Sequence, residues 1–160
     1  MHILLMSQKL TPMPPSAAPE DRGSLNPLDQ LLGYQLRRAS VAMLADLGES
    51  LSELDLRVTE SSVLMVIEAN PDITQSEIGR VLGIQRANLV PLASQLERRA
   101  LIRKGVITGR AQALRLTPAG RTIVRGCHER IAAHEARFLI GIIKADAETL
   151  IARISRIWNC

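Results

Sequence analysis

Five residues in the middle of the chain have the types and spacing needed to read an anionic duplex. They are Gln75 and Ser76, followed a short distance on by Gln85, Arg86 and Asn88. An arginine can fork onto guanine O6 and N7, and Asn or Gln can pair with adenine N6 and N7. Gln75 and Ser76 would donate to phosphate from the first turn of a helix, where free amides already favour anions. Arg103, Lys104 and Arg110 follow as phosphate candidates, although strand alternation sends only about half of such residues to one side. Charge is concentrated in the same region. The window from Ile84 to Leu116 holds seven basic residues and one acid, Glu97, for a net +6, whereas the whole chain carries +4. The basicity therefore belongs to this unit, and an anionic partner follows from it.

The elements that must position these residues are legible in the pattern. Thr74-Gln75-Ser76-Glu77 is a capping box, and Gly83 can end the helix it opens in the left-handed conformation. A second helix then runs from about Gln85 to Arg99, with Leu89, Leu92, Ala93 and Leu96 as its buried stripe. Two helices joined by a tight glycine-containing turn form a helix-turn-helix. Short strands at Leu101–Lys104 and Ala113–Leu116 flank a loop at Gly105–Gly109, and Thr117-Pro118 opens another helix, cap then proline. Upstream, Asn26-Pro27 starts a helix to about Leu51. Its twenty-five residues would span roughly 37 Å, a length that suits packing against a second subunit. Thr59 is expected to cap a helix over Glu60–Glu68 that stops at Pro71. A final helix is expected from about Asp146 to Trp158. The fold class is mainly α with a small β-hairpin wing: a winged helix-turn-helix between long N- and C-terminal helices.

The domain reading has four parts. Residues 1–24, with four prolines and few basic residues, form a flexible arm. Residues 25–58 hold the long N-terminal helix and linker, 59–117 the winged helix-turn-helix, and 118–160 the C-terminal helices.

Composition excludes several alternatives. The chain has 160 residues, one domain's worth. Tyr34, Phe138 and Trp158 are its only aromatics, too few for a base-stacking platform that would hold single strands. Cys127 and Cys160 have no zinc spacing. His128 and His134, six apart, are read as partly exposed and not as metal ligands, and Cys127 as an ordinary thiol. No cofactor or metal is expected. Nothing approaches the roughly 20 apolar residues of a membrane span, and the expected location is the cytoplasm. No paired carboxylates, Ser/His/Asp set or phosphate loop indicates an enzyme.

The segments Gln75-Ser76-Glu77-Ile78-Gly79 with Leu82-Gly83-Ile84, Leu96-Glu97-Arg98-Arg99-Ala100-Leu101-Ile102 and Leu116-Thr117-Pro118-Ala119-Gly120 resemble the MarR family of bacterial transcriptional regulators. The resemblance extends more weakly over about Leu28 to Trp158. It implies a homodimer in which residues 25–58 and 118–160 supply the N- and C-terminal dimerisation helices, binding a palindromic promoter site on double-stranded DNA, as a repressor released by a small aromatic or phenolic effector, an aromatic acyl-CoA included. Tyr34, Arg37 and Arg38 are the candidates for meeting that effector. A winged-helix protein-interaction module without specific DNA binding is the alternative.

Two features depart from the family pattern. Thr108-Gly109-Arg110 lacks the acid that usually braces the wing arginine, and the wing is about two residues short. Pro91 falls inside the expected recognition helix, where a proline costs about 3 kcal/mol and leaves the Ala87 carbonyl unpartnered. A bend near Ala87–Pro91 or a loose first turn is predicted, unless Pro91 is simply tolerated on an exposed face.

Overall fold

The computed structural model describes residues 26–106, 112–140 and 144–158. The expected arm over residues 1–24, the wing tip with Arg110, and Cys160 lie outside the described residues. The chain divides into two compact units, residues 1–37 and 38–160, with the boundary inside the first long helix.

In the first unit the Asn26 side chain accepts from the Leu28 amide at 3.1 Å. Cap and proline start a helix as expected, but it is a 3-10 turn over Pro27–Gln30. Leu31 is extended (φ −90°, ψ 119°) and breaks it. Helix α1 (Leu32–Ser52) begins only after that break.

The second unit continues with α2 (Val58–Ala69), β1 (Ile73–Thr74), α3 (Gln75–Leu82), α4 (Arg86–Arg98), β2 (Ile102–Val106), β3 (Gln112–Leu116), α5 (Pro118–Phe138) and α6 (Lys144–Trp158). Helix α2 starts a residue or two before the predicted Thr59 cap. The reason is Glu60: its carboxylate accepts from the Arg57 amide at 2.8 Å and closes the first turn there. Glu60 is almost wholly buried, with Arg99 at 3.8 Å.

The sheet has three strands in the order β1-β3-β2, both pairings antiparallel. The hairpin is present, but Gly105 and Val106, read as loop, extend its first strand because they pair with Ala113 and Gln112, and β1 is an addition. Two residues are too few to show alternation. They are held by Asp72, whose amide donates to the Leu114 carbonyl at 3.2 Å from a left-handed turn (φ 72°), a conformation that Asp tolerates better than most residues.

The core lies between α2, α5, the helix-turn-helix and the inner sheet face. Leu51, Val63, Leu64, Ile67, Ile78, Leu96, Leu114, Val124 and Cys127 are closed to solvent within a percent. Burial raises the Cys127 thiol above its ordinary range, which keeps it protonated and unreactive. His134 differs from the expected partly exposed histidine. It is buried on α5, with Nδ1 at 2.7 Å from the Asp46 carboxylate of α1, which also takes Arg137. A polar ring can be buried there because it has that partner.

Three carboxyls are held below their ordinary values: Asp46 by His134 and then Arg137, Asp72 by Arg115, and Glu77 by the amide and hydroxyl of Thr74. Each stabilises the fold only while ionised. That contribution is complete above the unfolded values, 3.8 for Asp and 4.5 for Glu, and is lost as the pH falls through the folded ones. Urea midpoints should therefore drop below about pH 4. The drop should be shallower in Asp72→Asn, and an equally steep drop in that variant would contradict the role given to the Asp72–Arg115 pair.

Candidate nucleic-acid interface

Helix α3 begins at Thr74, whose hydroxyl accepts from the Glu77 amide at 3.3 Å, while the Glu77 carboxylate accepts from the Thr74 amide at 2.8 Å. The predicted capping box is present. It ends at Gly83, left-handed at φ 65°. Gly79 is needed for close approach, because a Cβ there would stand 2.8 Å from the Ile84 carbonyl. The Ile84 amide bonds the Gly79 carbonyl at 2.9 Å. Residues 83–85 then turn the chain into α4.

The predicted buried stripe holds: Leu89, Ala93 and Leu96 are closed to solvent and Leu92 is half-buried. Gln85, Arg86, Ala87, Asn88 and Val90 are exposed, as is Pro91. Helix α4 is continuous through Pro91. Its first turn is not loose, since the Gln85 carbonyl accepts from both Asn88 (2.9 Å) and Leu89 (3.1 Å). The carbonyl that Pro91 leaves without a helical donor belongs to exposed Ala87, in reach of water, which lowers the cost of the interior proline.

An open groove of about 900 Å³ lies between α3, the start of α4 and β3. Gln75, Ser76 and Arg86 line it, so three of the predicted residues come together. Arg80 and Gln112 join them without having been singled out from the sequence. Both had a signal: Arg80 sits one helical turn after Ser76, and Gln112 shares the Leu114–Leu116 side of its strand. Leu89 contributes an apolar wall.

The other predicted residues are placed elsewhere. Gln85 is the exposed N-cap of α4. Asn88 lies on the opposite flank, beside a cavity of about 280 Å³ shared with Arg57, Pro91 and Gln95. Lys104 is paired with Glu97 of α4 at 2.5 Å. Arg103 faces Arg115 across the strands, on the sheet side away from Gln112, where Arg121 completes a cavity of about 420 Å³. Arg110 is outside the described residues. Within the first unit, the Tyr34 hydroxyl accepts from Asn26 at 3.0 Å and the Arg37 guanidinium lies 5.5 Å from the Tyr34 ring centre. Arg38 belongs to the second unit and is exposed on α1.

The groove's donors, a guanidinium at α4's first residue and amides at the start of α3 suit phosphate and base-edge contacts. Among the described residues, no helix is long and apolar enough to cross a membrane.

The chain is similar to known proteins in sequence and in fold. The model of the MarR family matches residues 54–112. The chain is 25% identical to the putative transcriptional regulatory protein for the hcr operon of Thauera aromatica over 132 residues, 80% of this chain and 79% of that protein. Among solved structures it resembles the transcriptional repressor CouR bound to a 23-mer DNA duplex, with a TM-score of 0.76 and 31% identity over 81% of this chain and 94% of that one. It is similarly close to CouR bound to p-coumaroyl-CoA, with a TM-score of 0.74 and 30% identity over 83% and 95%.

Proposed function

The chain belongs to the MarR family of transcriptional regulators, and from that premise we propose that it is a homodimeric repressor of a palindromic promoter site, released by a small aromatic ligand. The observation that carries the DNA reading is the groove that brings Gln75, Ser76, Arg80, Arg86 and Gln112 to one face beside the exposed start of α4. The net +6 of the surrounding window supplies the long-range attraction. The similar repressor CouR has been seen on a DNA duplex.

The dimer reading is supported by large apolar side chains that are exposed among the described residues. Val41 and Leu44 on α1 and Ile151 and Ile157 on α6 are each more than half exposed. Such side chains at the chain's two ends suit an interface between subunits. Each dimer would present two α4 helices to successive major grooves, about 34 Å apart.

The effector reading rests on CouR having been seen with p-coumaroyl-CoA. Tyr34 and Arg37 of the first unit remain its proposed contacts, with a ring for stacking and a cation for a carboxylate or phosphate. A ligand that favours a different spacing of the two α4 helices releases DNA, and DNA weakens that ligand reciprocally.

Fluorescence anisotropy on the DNA flanking the protein's own gene, beside a scrambled duplex and across a salt series, tests this reading. We expect a preference of about a thousand-fold or more, steep loss of affinity with salt, and release by a phenolic acid or its CoA thioester. Equal, weak binding to both duplexes would instead favour the protein-interaction module.

A further inference from the structure

The outward crest of α4 is apolar where it faces away from the core. Ala87, Val90, Pro91 and Ser94 recur at the spacing of one helical face, opposite the buried Leu89, Ala93 and Leu96. Ala87 and Pro91 are exposed, and Val90 keeps 40% of its surface open. Of these four, only Ser94 carries a side-chain hydrogen-bonding group, and Pro91 lacks even a backbone donor. The polar readers Arg86 and Asn88 stand on the two flanks.

An interior proline removes a helical hydrogen bond, and Pro91 is exposed and takes no part in the core. Core packing does not account for it, and its rigid ring is open to a contact outside the chain. That contact is anionic overall, because Arg86 flanks the crest and the window that includes it carries a net +6. It must also offer an apolar feature within a polar groove. In the major groove only thymine does so, through its 5-methyl group. An apolar crest against any other base edge would strip water from donors and acceptors and leave them unpaired.

We propose that Ala87, Val90 and Pro91 form an apolar edge that reads thymine methyl groups, so that the operator carries thymines beside the base contacted by Arg86. This inference rests on the DNA-binding reading above. It makes Val90 and Pro91 specificity-determining residues through van der Waals contact, alongside the hydrogen bonds of Arg86.

The test is a methyl-deletion scan. A duplex is selected by the full-length protein from a randomised library, and each thymine is replaced in turn by deoxyuridine, which pairs identically but lacks the methyl. At one or two positions in each half-site, affinity should fall about four-fold, the equivalent of one buried methylene at about 0.8 kcal/mol. Val90→Ala or Pro91→Ala should abolish the loss at the position each side chain contacts, and Val90→Ile should retain it. Circular dichroism checks that the variants are folded. A flat scan with selective binding intact, or the same losses in both alanine variants, would overturn the inference and leave the DNA-binding reading standing. Failure to enrich any duplex would overturn that reading and this inference together.

Discussion

Gly120→Ala should cost about 3 kcal/mol or more of stability, at or beyond the top of the usual range for overpacked cores. A Cβ at this position would stand 2.0 Å from the Leu101 carbonyl oxygen, and that oxygen cannot move aside. It accepts from the Thr117 amide at 3.0 Å, while the Thr117 hydroxyl donates to the Ala100 carbonyl at 2.6 Å and accepts from the Gly120 amide at 3.0 Å. Leu101 is itself buried, and Ala100 beside it already holds a left-handed backbone (φ 55°). The start of α5 would have to withdraw, taking with it Val124 and Cys127, which fill the core. Against a typical domain stability of about 5–15 kcal/mol, such a loss leaves a marginal protein. Urea denaturation followed by circular dichroism measures it. A midpoint within about 1 kcal/mol of the parent would mean that the close approach relaxes freely, contrary to this account.

Arg86→Ala should leave the fold alone and weaken DNA binding severely. Arg86 is exposed at the first residue of α4 and lines the groove, and no ion pair holds it among the described residues. A bidentate contact to guanine contributes about 1–3 kcal/mol. In the proposed dimer a guanine contact is lost in both half-sites, which would weaken the operator complex about 30-fold or more. The scrambled duplex separates the two roles open to this arginine. If Arg86 reads a base, the variant loses preference between operator and scrambled DNA. If it touches only phosphate, both affinities fall by the same factor and preference survives. A variant with unchanged affinity for both duplexes would remove Arg86 from the interface.

Much of the helix-turn-helix was legible because local chemistry specifies it. The Thr74 capping box, the left-handed Gly83 and the Leu89–Leu96 stripe each depend on residues within a turn or two of one another. The hairpin could be read for the same reason. What failed at close range failed through competition between neighbours. Thr59 and Glu60 both signal a helix start, and the buried Glu60 carboxylate reaches back to Arg57 and wins. Asn26-Pro27 signals a start correctly, but the turn it opens does not continue into α1.

The sequence by itself determined the order of the helices, the wing strands, the basic window and the residue types able to meet DNA, because these follow from spacing along one chain. Only the tertiary structure decided which of those residues share a surface. Strand register sends Arg103 to the far side of the sheet and Gln112 into the groove. The fold sets Arg57 of the α2 cap beside Asn88, while Arg80 and Gln112 meet Arg86 in the groove. It also decided why position 120 is glycine, since the Leu101 carbonyl arrives from nineteen residues upstream. Contacts between distant segments have no periodicity to betray them, and they exist only once the core has set the distance between elements.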